Sequence, residues 1–247
     1  MTNRAFYDAF APRYHLIYEN WNASIARQGT ALDTLIREHF HETKHVTDVA
    51  VGIGTQALGL ASLGYHITGS DLSLGAVTRA RVEAESRALH LDLHVADFQR
   101  LPFAGARTDL VLCADNSLPH VASRDAVQST LAEWRRCLRP GGGCLISMRD
   151  YGEPRPEGII EERPYGERTW NEHRYLLRQM WRWQGPRYKT SLEMIPLDAN
   201  APAIEPIVAT YLAISPVDVA QSMRDVGFHN VTRIDERFFQ PILIATR

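Results

Sequence analysis

The sequence predicts an α/β protein built on a mostly parallel seven-stranded sheet with helices on both faces. From about residue 45 to residue 151, short β-branched runs alternate with longer helical stretches, a pattern typical of βαβ units. A helical run and two strand-like runs follow near the end and would complete the sheet. Because 247 residues with 45% hydrophobic content suffice for one core, we expect a single domain over 1–247.

The central part of the chain supplies the predicted parallel strands. Ser73 is a suitable N-cap, Gly64 ends the helix before it, and the glycines after Pro140 allow the positive φ of a turn. The predicted strands span 46–51, 65–72, 91–97, 108–116 and 143–151, and the predicted helices span 57–64, 73–89 and 124–138.

Three further segments surround this core. We expect a helical lid over 1–45, a substrate-side insertion over 152–210, and a helix with closing strands over 211–247, the core being 46–151. Pro, Gly and charged residues in 151–167 predict a long surface loop, and two strand-like runs around Q-G-P-R predict an antiparallel hairpin in 168–196. Ser215 and Pro216 begin the predicted helix 214–228.

Composition excludes several classes of function. A net charge of −2 without a Lys/Arg run disfavours nucleic-acid partners. The sequence has no stretch of 18 apolar residues and no apolar leader, so we expect a cytoplasmic protein without membrane partners. The three cysteines, Cys113, Cys137 and Cys144, lack paired spacing, and the histidines form no cluster, so neither disulfides nor a metal are expected.

The first strand-to-helix turn indicates a nucleotide-like ligand. Gly52 and Gly54 let the backbone approach a ligand closely, and Asp71 follows Asp48 at about the 20-residue spacing from which a carboxylate accepts ribose hydroxyls. An acidic residue followed by an aromatic residue at 97–98 suits an adenine edge. The incomplete glycine pattern disfavours a nicotinamide cofactor but leaves a nicotinamide-dependent oxidoreductase as an alternative.

Taken as a set, these motifs resemble class I S-adenosylmethionine-dependent methyltransferases over roughly 46–151. The motifs are D-V-A-V-G-I-G (48–54), S-D-L-S (70–73), V-A-D-F (95–98) and L-R-P-G-G-G (138–143). C-A-D-N-S-L-P-H (113–120) and I-S-M-R-D-Y (146–151) are similar in particular to the glycine and sarcosine N-methyltransferase group. The resemblance implies a Rossmann-like fold, S-adenosylmethionine as cofactor and a small-molecule acceptor, and it suggests homo-oligomerisation.

The resemblance also implies roles for individual residues. Arg27 would pair with the carboxylate of the cofactor, and His120 and Tyr151 would be catalytic. The implied cofactor-binding residues are Tyr14, Arg27, Ala50, Gly52, Gly54, Asp71, Leu72, Asp97, Phe98 and Cys113. The implied substrate-binding residues are Tyr18, Asn116, His120, Arg149 and Tyr151.

The predicted reaction is N-methylation of an amine or an amino-acid-like acceptor. An unprotonated amine needs no base, and Arg149 suits an acidic group on the acceptor. Methylation of a hydroxyl is the main alternative, and it requires a base, for which His120 is the candidate. A methyltransferase-like binding subunit without catalytic activity is a further alternative.

Overall fold

A computed structural model describes residues 2–152 and 155–247 of the chain. The helices are α1 (Asn3–Phe10), α2 (Trp21–His39), α3 (Thr55–Ser62), α4 (Leu74–Ser86), α5 (Arg124–Cys137) and α6 (Pro216–Asp225). The strands are β1 (His45–Asp48), β2 (His66–Asp71), β3 (Leu91–Val95), β4 (Thr108–Cys113), β5 (Leu138–Ser147), β6 (Ile160–Trp170), β7 (His173–Gln184), β8 (Arg187–Pro196), β9 (Ile207–Leu212), β10 (His229–Ile234) and β11 (Ile242–Thr246). Short 3₁₀ turns lie at Tyr14–Ile17 and Leu118–His120.

The seven-stranded sheet has the strand order β10-β11-β5-β4-β1-β2-β3. Strands β1 to β5 pair in parallel, while β11 pairs antiparallel with both β5 and β10. This arrangement confirms the predicted mostly parallel sheet and its two closing strands. Since parallel strands end at one edge of the sheet, the residues that follow β1, β2, β3, β4 and β5 are brought together there.

Apolar side chains fill both faces of this sheet. Leu32 of α2, Leu58 of α3 and Val77 of α4 belong to the core on one face, and Trp134 of α5 and Met223 of α6 belong to the core on the other. Ser73 and Ser215 accept backbone hydrogen bonds at the starts of α4 and α6, which confirms both predicted N-caps. Within the described ranges, no helix is long and apolar enough to cross a membrane.

The segment after β5 forms a second, antiparallel sheet in the order β6-β7-β8-β9. The predicted surface loop over 151–167 is therefore wrong from Ile160 onward, because β6 pairs with β7 from Ile160 opposite Arg182 to Trp170 opposite His173. Strand β6 is mostly exposed and charged, so it lacks the apolar alternation that identifies a strand. Residues 153 and 154 of that predicted loop lie outside the described residues. The predicted hairpin corresponds to β7 and β8, while β6 and β9 were not predicted as its neighbours.

Several boundaries of the core strands were also predicted wrongly, most clearly those of β1 and β5. Strand β1 ends at Asp48, so residues 49–51 already belong to the turn, and β5 begins at Leu138 and ends at Ser147. The predicted turn at 139–143 is part of β5. A Cβ atom on Gly143 would lie 2.3 Å from the ring of Phe40, so this glycine allows close packing against the end of α2.

The N-terminal segment connects the two sheets. Helix α1 packs against β9 of the second sheet and against α4 of the first layer. Phe6 and Phe10 join an aromatic core with Tyr175 and Trp183 of β7. The oxygen Oδ1 of Asp8 accepts hydrogen bonds from Ser73 Oγ at 2.6 Å and from the Gly75 amide at 2.9 Å. These contacts hold α1 over the carboxyl edge of the parallel strands.

Candidate functional site

Two adjoining cavities open at the carboxyl edge of the parallel strands. The narrow cavity has a volume of about 70 Å³ and is lined by residues that follow β1, β2 and β3. The wide cavity, of about 610 Å³, lies between this edge and the antiparallel sheet. Tyr7 and Tyr14 line both cavities, so the two spaces meet at these two phenol rings.

The glycine turn and Asp71 form one wall of the narrow cavity. Gly52 has a φ of +53° and donates its N–H to Asp71 Oδ2 at 2.9 Å, while Ser73 donates its N–H to Asp71 Oδ1 at 2.9 Å. Burial raises the pKa of Asp71 to about 6, against the lowering effect of these backbone donors. The carboxylate is thus ionised at neutral pH and retains lone pairs for the vicinal hydroxyls of a ribose.

Other residues that line the narrow cavity suit an adenine ring. Leu72, Asp97 and Phe98 line it together with Ala50, as predicted for the cofactor site. Asp97 Oδ1 accepts the Gln99 amide at 2.8 Å, and the Phe98 ring packs edge-on against Trp134 at 5.9 Å between centroids. These contacts fix a carboxylate beside an aromatic face, which together can bind the amino group and the plane of a purine.

Three predicted cofactor residues lie outside the lining of both cavities. Arg27 is exposed and donates to Ser24 Oγ, because the buried side of α2 is formed by Ile25, Gln28 and Leu32. Cys113 is fully buried in the apolar core, and Gly54 has a φ of +96° as the N-cap of α3. The structure therefore does not bring the predicted partner of the cofactor carboxylate into the site.

His120 lies at the junction of the two cavities. Its Nε2 atom is 2.7 Å from the Tyr7 hydroxyl, and its ring packs against Tyr211 with centroids 4.0 Å apart. Burial lowers the pKa of His120 to about 3, the Arg149 cation acts in the same direction, and the Thr210 backbone opposes both. A general base works best when its pKa is near the working pH, so the neutral imidazole of His120 is a weak base here.

Asn116 organises the floor of the wide cavity. Its side chain is 1% exposed, donates to the Tyr151 hydroxyl at 2.9 Å and accepts the Arg149 amide at 3.0 Å. Arg149 in turn donates to the Tyr188 hydroxyl at 3.2 Å and lies 4.8 Å from the centre of the Trp181 ring. Asn116 thus positions Arg149 and Tyr151, and both of these line the wide cavity together with Tyr18.

The sequence reasoning missed several residues of the wide cavity. They are Asp115, Arg163, Tyr165, Trp181, Tyr211 and Gln240. Asp115 carried a usable signal, since it directly precedes Asn116 at the end of a parallel strand, where such sheets bind ligands. Gln240 carried none, because it lies in the irregular connection between β10 and β11.

Comparison with known proteins identifies the domain. Residues 46–142 match a family described as methyltransferase domain. The chain is 26% identical over 147 residues to the glycine/sarcosine N-methyltransferase of Aphanothece halophytica, covering 59% of this chain and 55% of that protein. It is 34% identical over 106 residues to an uncharacterised Haemophilus influenzae protein, covering 42% and 41%. The chain thus spans about half the length of the curated relatives it matches.

Solved structures extend the likeness of the fold to nearly the whole chain. The amino pentose methyltransferase CalS10 of Micromonospora echinaspora, solved with S-adenosylmethionine bound, aligns with a TM-score of 0.79 at 16% identity and covers 96% of both chains. The sugar N-methyltransferase KedS8 of a Streptoalloteichus species aligns with a TM-score of 0.75 at 16% identity, covering 90% of this chain and 87% of that one. Together with the family match, these findings confirm the predicted resemblance: residues 46–142 match a methyltransferase domain, and nearly the whole chain shares the fold of methyltransferases such as CalS10.

Proposed function

We propose that the protein transfers a methyl group from S-adenosylmethionine to the nitrogen of a small molecule that also carries an acidic group. The main supporting observation is the wide cavity, which meets the narrow one at Tyr7 and Tyr14 and contains the guanidinium of Arg149, for which the described residues supply no carboxylate partner within 4.0 Å. Relatives described as glycine/sarcosine and phosphoethanolamine N-methyltransferases support nitrogen as the methyl acceptor. The acceptors named for those relatives are amines that carry a carboxylate or a phosphate.

The narrow cavity fits the adenosine part of the cofactor. Asp71 would accept the ribose hydroxyls, and Asp97 and Phe98 would hold the adenine. The methionyl end would then extend past Tyr14 toward the wide cavity. The sulfonium supplies an activated methyl group, so the protein has mainly to align donor and acceptor, and such positioning is worth about 7–11 kcal/mol.

Arg149 would bind the acidic group of the acceptor. Among the described residues, it forms no ion pair with a carboxylate within 4.0 Å. One of its N–H groups donates to the Tyr188 hydroxyl, which lies 3.0 Å from the Tyr151 hydroxyl, and Arg149 and Tyr151 line the wide cavity. A planar guanidinium donates two parallel hydrogen bonds to a carboxylate or a phosphate, and this geometry suits both acceptor types.

The state of His120 argues against the base that was predicted for methylation of an oxygen atom. Methylation of an alcohol or a phenol needs a base, and the predicted candidate for that base has a pKa of about 3. His120 instead hydrogen-bonds Tyr7, whose own pKa is raised by burial. We infer that this pair shapes the passage between the two cavities.

A panel of acceptors tests the proposal. Purified protein with S-adenosylmethionine is given glycine, sarcosine, phosphoethanolamine, glucosamine 6-phosphate, ethylamine or catechol, and S-adenosylhomocysteine is quantified. We expect product with at least one amine that carries an acidic group, and at least tenfold less with ethylamine. Product with catechol alone, or with none of the compounds, contradicts the proposal.

A further inference from the structure

The carboxylate of Asp115 is set into the wide cavity by an unusual backbone conformation. Asp115 and Asn116 are consecutive non-glycine residues with φ values of +52° and +63°. Such conformations are uncommon for L residues and are retained where the surrounding structure requires them. Here they turn Asn116 into the protein interior and leave Asp115 at the cavity wall.

A closed set of hydrogen bonds holds this carboxylate in place. The Asp115 amide donates to Ser147 Oγ at 2.8 Å, and Ser147 Oγ donates to Gln240 Oε1 at 3.2 Å. Gln240 Nε2 completes the set by donating to Asp115 Oδ1 at 3.2 Å. Ser147 and Gln240 are both buried, so the carboxylate is anchored from β5 and from the connection before β11.

Asp115 differs from the other carboxylates of the wide cavity in lacking a cationic partner. Glu161 is paired with Arg155 at 3.1 Å and with Arg163 at 2.6 Å. Asp150 is paired with Arg233 at 2.7 Å. Within residues 2–152 and 155–247, no Lys, Arg or His nitrogen lies within 4.0 Å of Asp115. A cationic group of a ligand in this cavity therefore finds Asp115 as its free counter-charge.

We propose that Asp115 is a catalytic residue that binds the ammonium group of the acceptor and removes the proton that blocks methylation. The proposal rests on the proposed function. It requires an acceptor with two charged groups, an ammonium group that binds Asp115 and an acidic group that binds Arg149. The narrow cavity, and with it the methyl donor, meets this cavity at Tyr14.

The chemistry balances with the groups present. The ammonium group gives one proton to the Asp115 carboxylate, which becomes a carboxylic acid, and the nitrogen regains its lone pair. That lone pair forms the new N–CH₃ bond while the S–CH₃ bond breaks and its electron pair stays on sulfur. The products are S-adenosylhomocysteine and a methylated ammonium ion, and the proton on Asp115 leaves to solvent after product release.

Burial supports this role, because it raises the pKa of Asp115 to about 6. Arg149, Gln240 and Tyr18 act in the lowering direction, so the group is ionised at neutral pH and is a better base than an ordinary aspartate. The titratable groups that face it are Arg149 and the phenols of Tyr7, Tyr14, Tyr18 and Tyr165, and burial raises the pKa of each phenol well above neutrality. At neutral pH, Arg149 is therefore the one charged group of this set.

The test is the pH dependence of Asp115→Asn with the panel amine that gives the highest kcat/KM, at saturating S-adenosylmethionine. Asparagine tolerates the left-handed conformation, so this variant keeps the turn. We expect wild-type kcat/KM to fall as the pH drops through about 6, since the carboxylate must be ionised. For the variant, we expect a loss of about 10²–10⁴-fold at pH 7 and a tenfold gain per pH unit up to pH 9, because free amine then comes from solution.

Matched measurements separate the possible outcomes. Asp109→Asn makes the same change at the opposite end of β4 and is expected to leave kcat/KM unchanged. Calorimetry with S-adenosylmethionine checks that the Asn variant retains a folded cofactor site. Asp71, whose pKa is also about 6, is present in both proteins, so a difference between their pH profiles comes from position 115. If the Asn variant does not fold, Asp115→Glu is expected to keep the wild-type shape of the pH profile at a lower rate.

Three results would overturn the inference. They are an Asn variant with wild-type kcat/KM, an Asn variant whose loss is the same at every pH, and a Glu variant whose activity rises tenfold per pH unit. All three leave the proposed function intact. Absence of S-adenosylhomocysteine with every amine of the panel is the separate result that removes the proposed function.

Discussion

The left-handed conformation of Gly52 connects the backbone to the proposed cofactor site. It directs the Gly52 N–H to the Asp71 carboxylate, and this hydrogen bond keeps the turn after β1 close to the end of β2. A Cβ atom at this position would meet only the Tyr14 ring at 3.5 Å, which is an ordinary contact. The requirement for glycine therefore comes from the φ angle rather than from lack of space.

This predicts a specific outcome for Gly52→Ala. We expect the free energy of unfolding to fall by about 1–2 kcal/mol, the cost of a left-handed alanine, and the affinity for S-adenosylmethionine to fall at least tenfold because the turn relaxes away from Asp71. Thermal denaturation and titration calorimetry measure the two effects. Gly64→Ala is the control, since Gly64 also has a positive φ, of +93°, with open space around it. It should lose similar stability and keep its cofactor affinity, and equal affinity losses in both variants would contradict this role for Gly52.

The site was only partly predictable from the sequence, for reasons visible at single residues. Asp71 ends β2, and Asp97 and Phe98 lie two and three residues after the end of β3, so the strand pattern alone places them at the sheet edge. Arg27 was misplaced because the resemblance does not determine which side of α2 faces inward. Asp115 was missed because the direction of its side chain depends on the unusual φ angles of Asp115 and Asn116, which the residue types alone do not predict.

At the scale of elements, the strands of the seven-stranded sheet were predicted, whereas β6 and β9 of the antiparallel sheet were not. Strand β4 is mostly apolar and almost entirely buried, so its own sequence identifies it as a core strand. Strand β6 is stabilised by its pairing with β7 over its length, a non-local interaction that leaves its own sequence polar. Strand propensity therefore predicted the parallel sheet but not the number of strands in the antiparallel sheet.

Packing between β5 and α2 yields a prediction at this scale. Gly143→Ala would place a methyl group 2.3 Å from the Phe40 ring, and such overpacking typically costs about 1–3 kcal/mol. We expect a lower denaturation midpoint in urea for this variant. Adding Phe40→Leu should recover part of the loss, and a double variant whose loss equals the sum of the single losses would show that the two residues do not interact.

At the scale of the whole molecule, the proposed cofactor and acceptor site combines parts from distant stretches of the chain. The narrow cavity takes Tyr7 and Tyr14 from the N-terminal segment and Asp71 from the core. The wide cavity adds residues of the antiparallel sheet and Gln240 near the last strand. A ligand that binds this assembly therefore stabilises the fold as a unit.

Cofactor binding should accordingly raise the melting temperature. At a concentration 100 times its dissociation constant, a ligand adds about 2.7 kcal/mol, which corresponds to about 5–11 °C for a chain of this size. We expect this shift with S-adenosylmethionine and S-adenosylhomocysteine, measured by differential scanning fluorimetry. NAD should produce none, and a shift with NAD alone would restore the oxidoreductase alternative.

Helix α1 also affects the order in which the protein is built. It binds α4 through Asp8 and packs against β9, which lies about 200 residues further along the chain. During synthesis α1 leaves the ribosome before either partner exists, and its contacts with β9 must wait until β9 has been made. Completion of the proposed site therefore comes well after the synthesis of α1, which forms one of its walls.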